Sequence, residues 1–583
     1  MVLVGLFARL AALVLALAIG FDQALADDNH ARLNGTADYA FINGEIYTMD
    51  DALPRAEAVT IEGNKITYVG NASGLKEQIG YDTKVVDLRG KMMLPGFVDG
   101  HIHAVAGGVI MNGVDLQTDD KTELMQRIKD YVKNNPDKEL IHGYGVRLHI
   151  WNDDWPTAAM LDEIESERPL YFWAIDGHKA WVNSKALELA GITQDTPETV
   201  PGFSFFQRDE DRNPTGWIVE IPAQMQVLSA LVDIDADYVA SGVAEWLPKF
   251  AASGITAVHD YGIQGLSMKE GFDLFKDLEK AGKLPLRVLG VYYWNDPDID
   301  PVPIVQQLTK DVDTPLITAN RLKVNMDGSD DSYSALYVDG YSDKSDLEVD
   351  PIIPYDVLND VMMRADAVGI DAVCHCFGDL AVRKFLDAVE LTSKANPVRD
   401  RRNVASHATL VHPDDYGRFK ELNVTYDSTG SWMSRDPFIR EVTTKRLSDE
   451  RVDIMFPMNA VADAGGNVSF GSDWPVSGYV SEYRPLYAIQ RAMLRQIDPG
   501  QPPLGGENAK VPLERALKAH TLGAAYGMGM EDKIGSIEEG KLADLVVLEK
   551  NLFDLKPQQI GDTKVVYTMM NGALTYDATA GRR

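Results

Sequence analysis

The sequence predicts a mixed α/β fold: a (β/α)8 TIM barrel carrying an insertion, plus a small β-sandwich domain assembled from both chain ends. Three observations predict it. Through the middle of the chain, short apolar runs that end in polar residues alternate with segments of helical periodicity, the pattern of parallel strands joined by crossover helices. Strand-and-turn texture of the hairpin kind occurs near both ends. The chemically useful polar residues come from the ends of many different strands, as a barrel requires. No GxGxxG follows the first strand to favour an open doubly wound sheet.

Met1 to Ala26 reads as a secretory signal, with Arg9 as its positive region, Leu10 to Phe21 as its apolar core and Ala24-Leu25-Ala26 as its cleavage site. The apolar run is too short to cross a bilayer comfortably. The expectation is a periplasmic or secreted protein without stable membrane insertion after cleavage, membrane-anchored only if the signal is retained. Residues 27–94 are expected to form the first part of the β-domain. There FINGEIYTMD, AVTIEGNKITYVG and TKVVDLRGKMMLPG place β-branched and aromatic residues between Asn-Gly and Gly-Asn turns. GSIEEGKLADLVVLEKN and TKVVYTMMNGALTYD repeat that texture within 526–583, the second part.

Residues 95–525 are expected to form the barrel. Thr122 to Val132 and Val239 to Ala252 have helical periodicity, while GITAVHDYG, RLKVNMDGS, IDAVCHCFGD, RNVASHATL, LNVTYDS and GNVSFGSDWP read as its strands. The stretch at about 122–222 breaks this rhythm and holds five of the nine tryptophans, Trp151, Trp155, Trp173, Trp181 and Trp217. It reads as an insertion over the barrel mouth whose aromatics either line a substrate pocket or form its own small core. Trp151, Trp155 and Trp181, with His259 and Trp474 from the barrel, are the substrate-pocket candidates.

A formal net charge of -32 over 583 residues repels polyanions and argues against a nucleic-acid partner. The expected partner is a small-molecule substrate, and a homodimer is the assembly to test. Two cysteines, Cys374 and Cys376, exclude a disulfide framework, and on a strand both point away from the face of His375.

The chain is organised around LPGFVDGHIHA. His101 and His103 stand two apart at the end of a strand-like run, so both imidazoles project to one side and can reach one metal ion. An isolated HxH is weak. Downstream, Lys323 begins KVNMDGSDDS, His375 lies in VCHCFGD, His407 in NVASHATLVHP and Asp473 in FGSDWPV. In that order these residues resemble the binuclear amidohydrolase superfamily. LPGFVDGHIH, DGHKAWVNSKALELAGI, PTGWIVE, GITAVHD, HCFGDLAV, FGSDWPV and GSIEEGKLADLVVL are similar to its amidohydrolase-3 branch, which includes N-substituted formamide deformylases.

The resemblance implies that His101, His103 and Asp473 hold one metal, that His375 and His407 hold another, and that Lys323, carboxylated by CO2, bridges both. Two zinc ions are the expected pair, with Mn, Fe, Co or Ni as alternatives accepted by the same ligands. If Lys323 stays unmodified, an ion pair with Asp327 or Asp330 is expected instead. The implied activity is metal-dependent hydrolysis of a non-peptide carbon-nitrogen bond, with an N-substituted amide or formamide as substrate and Asp473 as general base and then general acid. His178 is a second catalytic candidate, positioned to orient the substrate carbonyl. Alternatives on the same site are a deaminase, a cyclic amidase or a carbamate or ester hydrolase; outside catalysis, the alternative is a metal-binding periplasmic protein.

Overall fold

The computed structural model describes residues 36–151, 155–199, 204–263 and 266–580. The expected signal segment, 1–26, lies outside them. Among the described residues, no helix is long and apolar enough to cross a membrane.

Eight parallel strands form the central sheet: Phe97–Ile102, Ile255–Asp260, Arg287–Trp294, Ile317–Asn325, Asp371–Cys376, Asn403–His407, Val424–Thr429 and Val468–Gly471, hydrogen-bonded in chain order. All seven pairings between neighbours are parallel. The eighth strand returns to the first, where Asp473 N donates to His101 O (2.8 Å) and His103 N to Trp474 O (2.9 Å). Gly471 permits this closure, because a Cβ there would fall on the backbone and Cβ of His101.

The third strand, Arg287–Trp294, was not among those expected from the sequence; its run RVLGVYYW ends in no ligand-type residue. The crossover helices bury one face each. Met268–Lys280 illustrates the rule, with a Ser267–Glu270 capping box at its start and Phe272, Leu274 and Phe275 buried.

Between the first and second barrel strands, the insertion builds a six-stranded sheet from Val114–Asp115, Ile141–Val146, Leu170–Ala174, Lys179–Val182, Phe205–Arg208 and Pro214–Val219. It therefore begins before residue 122. Trp151, Trp181 and Trp217 are buried in its own core with Leu161 and Phe172, and Trp155 packs against that core and stacks on Trp217 at 5.3 Å. The pocket role expected for Trp151, Trp155 and Trp181 is thus corrected. These are large apolar side chains that the insertion needs to hold its own sheet together.

Strands from both chain regions join in one sheet. Met92–Pro95 pairs antiparallel with Leu545–Leu548, and Tyr39–Tyr47 links it to the hairpin Arg55–Glu62 and Lys65–Gly70. The sheet bends back on itself where Ile66 N donates to Lys541 O at 2.9 Å. Phe41, Val59, Met93, Leu545 and Val566 share the enclosed core. Gly96 follows directly and Phe97 opens the first barrel strand, so this domain anchors the segment that carries His101 and His103.

Candidate metal and active site

The first barrel strand ends at His101–Ile102, and His103 is the residue that caps the following helix, Ala104–Ile110. Both imidazoles turn toward one carboxylate oxygen: Asp473 Oδ1 lies 3.0 Å from His101 Nε2 and 3.4 Å from His103 Nε2. One ligand atom from each of these three residues fits within 4.8 Å of the others. On its other side, His101 Nδ1 meets Ser406 Oγ at 2.7 Å and Asp427 Oδ2 at 3.6 Å. Tyr261 stacks on the His101 ring with centroids 3.8 Å apart.

His375 and His407 bring the fifth and sixth strands to the same place. Their ring centroids are 4.2 Å apart, and His407 is 4.8 Å from His101. His375 Nδ1 is held by Asp327 Oδ1 at 3.1 Å, which fixes the ring and leaves Nε2 as its ligating nitrogen. His407 (φ 65°), the last residue of its strand, and Asp473 (φ 54°), two residues past the end of its own, both sit in the left-handed region. That conformation is costly for residues with a Cβ and recurs where a side chain must be aimed into a site.

Lys323 projects from the fourth strand and is 1% exposed. Its Nζ lies 4.4 Å from the Tyr261 ring centroid and has no hydrogen-bond partner. The ion pair expected for an unmodified lysine is absent. Asp327 is engaged instead by His375 and by the amides of Leu336, Phe377 and Gly378 at 2.9–3.0 Å.

Burial pulls Lys323 down to about 8, which brings the neutral amine, the form that reacts with CO2, into reach near neutral pH. Burial likewise lowers His103, His375 and His407, favouring the neutral imidazoles that carry a lone pair for a metal. Burial opposes the charges of His101 and Asp473, but each sustains the other: Asp473 holds His101 up, and His101 and His407 hold Asp473 well below the carboxylate range.

The donor set fits divalent cations on its own terms. His103 Nδ1, Lys323 Nζ and His407 Nδ1 are buried without a hydrogen-bond partner, and His101 Nε2 and Asp473 Oδ1, 3.0 Å apart, are buried with none outside this cluster. So many under-satisfied polar atoms in one place are expensive unless something else satisfies them, and borderline-soft metal ions match imidazole and carboxylate donors.

A cavity of about 110 Å³ opens beside this cluster, with His375, His407 and Asp473 in its wall. Its apolar part comes from Phe377, which stands in the HCFGDLAV run, and from Trp432, Phe438, Phe456 and Tyr479, which stand in no motif that the sequence made visible. Trp474 is not there: it is fully buried and packs against Trp246 and Phe250 at 4.7 and 5.2 Å. His259 is also buried, edge-on to Tyr261 at 4.6 Å, and burial pushes it well below its ordinary pKa. Neither supplies the pocket surface expected of it.

The insertion contributes Asp176 and His178 to the cavity wall. His178 Nδ1 lies 2.9 Å from Glu220 Oε2; burial works against its charge, but Glu220 and Asp176 outweigh it and lift the imidazole to about 9. The insertion also grips the loop that follows Asp473. Ser477 N donates to Ile175 O (3.0 Å), Ser481 N to Gln117 Oε1 (2.9 Å) and Tyr479 Oη to Asp119 Oδ2 (2.7 Å).

Comparisons with known proteins give the family and the fold. Protein LONG AFTER FAR-RED 3 of Arabidopsis thaliana is 29% identical over 560 residues, 93% of this chain and 92% of its own. The N-substituted formamide deformylase of Arthrobacter pascens is 26% identical over 558 residues, covering 93% and 99%. An uncharacterized metal-dependent hydrolase from Pyrococcus horikoshii superposes with a TM-score of 0.70 at 22% identity, covering 90% of this chain and 99% of that one, a likeness of fold. Residues 84–576 match the model of the amidohydrolase family. With four histidines, an aspartate and a buried lysine at the strand ends of a barrel, and with a family match that spans both the barrel and the β-domain, this chain belongs to the amidohydrolase family, as a metal-dependent hydrolase of carbon-nitrogen bonds.

Proposed function

We propose that the substrate is an N-substituted amide or formamide whose nitrogen carries an apolar or aromatic group. The observation that carries this reading is the juxtaposition of the His101–His103–Asp473 cluster with a cavity walled by Phe377, Trp432, Phe438 and Tyr479. In this reading His101, His103 and Asp473 would hold one zinc-like ion and His375 and His407 a second, with Lys323, as its carbamate, completing the ligand set.

Such ions, when bound, lower the pKa of water and polarise a carbonyl. The chain's own residues do the rest. Asp473, buried at the mouth of the barrel and ionised, accepts a proton from the attacking water and delivers it to the departing nitrogen, so that an amine and a carboxylic acid leave. Protonated His178, anchored by Glu220, donates a hydrogen bond to the carbonyl oxygen as negative charge builds on it. The aromatic wall excludes water from the bound nitrogen substituent. The N-substituted formamide deformylase named above supports the formamide choice by likeness.

The test is metal content per chain after purification without chelator in bicarbonate buffer, for the parent, Lys323→Ala and Asp473→Asn, followed by turnover of a panel of N-substituted formamides. Two ions per chain falling sharply in Lys323→Ala, with hydrolysis by the parent, supports the reading. One ion unaffected by Lys323→Ala sinks the bridge, and metal without turnover of any amide favours a binding protein.

A further inference from the structure

Among the described residues, no lysine or arginine lines the cavity, whereas five aspartates do: Asp176, Asp330, Asp331, Asp436 and Asp473. Four of them are accounted for. Asp473 belongs to the ligand cluster. Asp176 and Asp331 share Lys179 Nζ, at 2.6 and 3.1 Å. Asp436 Oδ1 accepts from Ile439 N at 2.9 Å, and Arg440 and Arg147 offset part of the rise, to about 7, that burial gives its carboxyl.

Asp330 is different. It is 1% exposed, and apart from the Thr443 side chain its carboxylate finds no hydrogen-bonding side chain and no ion-pair partner among the described residues. Burial lifts it to about 6, Asp331 pushes the same way, and the Thr443 side chain is the main group that opposes them. It is therefore mostly ionised at neutral pH. The cation in the wall, His178, is paired with Glu220, and Lys179 with Asp176 and Asp331, so no cation among the described residues forms an ion pair with Asp330. A buried carboxylate left uncompensated is destabilising, so the charge has to be matched by something that enters the cavity. The other wall residues set the kind of cation. Phe377, Trp432, Phe438 and Tyr479 present aromatic rings, whose faces attract ammonium groups and tolerate an alkyl chain.

We infer that Asp330 and the aromatic rings of the same cavity form a subsite for an ammonium group, so that the substrate is an N-acyl compound bearing a second, positively charged amine. The acyl half of this statement rests on the hydrolase reading above; the ammonium subsite does not. Hydrolysis of such a compound yields a diamine or amino-alkyl amine and a carboxylic acid, with the cation unchanged throughout.

The experiment separates the two. Binding of choline and of its neutral isostere 3,3-dimethylbutan-1-ol to the metal-loaded full chain is measured by ligand-observed NMR titration, at a pH where Asp330 is ionised. Neither probe needs turnover, and the quaternary nitrogen has no lone pair for a metal. The parent is expected to prefer choline by about tenfold or more, from charge pairing together with the aromatic faces. Asp330→Asn should bring that ratio close to one, and Asp330→Glu should restore part of it. Equal binding of the two probes by the parent overturns the subsite, as does a preference that survives in Asp330→Asn or an equal loss of both probes. In parallel, hydrolysis of N-(2-aminoethyl)formamide is compared with that of N-propylformamide. Absence of hydrolysis with choline preference intact would remove the amide reading and leave the cation subsite standing.

Discussion

Asp327 Oδ1 lies 3.1 Å from His375 Nδ1, and the same carboxylate accepts from three backbone amides of the segments on either side. Asp327 thus fixes both the ring plane and the tautomer of His375. Asp327→Asn keeps the volume but loses the charge that pins the Nδ1 proton. The expected result is metal affinity lowered by about 10- to 100-fold, as for other partners of ligating histidines. Chelator competition checks it; unchanged affinity would mean that the strand alone aims the ring.

Asp473 is assigned both the proton removal and the proton delivery, and its carboxylate is held ionised by His101 and His407 against its burial. Asp473→Asn keeps an oxygen that can still face the histidines but cannot carry a proton between water and nitrogen. The rate constant kcat is expected to fall by about a hundredfold to ten-thousandfold. Single-turnover kinetics with metal content measured on the same sample separate this from simple loss of the ion.

His178 gives a pH dependence with a definite sign. Its imidazole is raised to about 9 by Glu220 and Asp176, so it is charged and able to donate below that pH and loses the proton as pH rises through it. The alkaline limb of kcat/KM is expected near there. Glu220→Gln removes the main charge that holds the imidazole up, and the limb should move to lower pH. A limb that stays in place in that variant would exclude His178 from carbonyl binding.

Tyr479 is a wall residue of the cavity held from outside it: its hydroxyl donates to Asp119, which Arg147 and His149 also contact at 2.7 and 2.9 Å. Asp119→Ala frees the ring without touching the ligand cluster. KM for substrates with a large nitrogen substituent should rise while kcat changes little. Comparing a benzyl with a methyl formamide tests this, because only the larger group reaches the wall.

The ligand-type residues were legible in the sequence for a physical reason: histidines two apart on a strand share a face, and His375, His407 and Asp473 each end a short apolar run. The strand at Arg287–Trp294 carried no such marker and went unread. Nor could sequence show that His407 and Asp473 take left-handed backbone, or that Ser406, Asp427 and Tyr261 surround His101, because those relations are made by closure of the barrel. The tryptophans were misplaced because aromatic content marks a region that buries large rings without saying whether they face a core or a cavity.

Trp181 makes that last distinction measurable. Its ring is fully buried against Trp151 and Phe172, and its Nε1 donates to Thr157 O at 2.9 Å. Truncation leaves a void in the insertion core and an acceptor without its donor, so Trp181→Ala should cost about 3–5 kcal/mol of stability. The insertion supplies Asp176 and His178 and holds the loop after Asp473, so activity should fall with the folded fraction of the insertion. Denaturant unfolding followed alongside kcat/KM decides between the two placements. A large stability loss, with KM unchanged for the molecules that remain folded, fits a core residue; an unchanged unfolding midpoint with a raised KM would return Trp181 to the pocket.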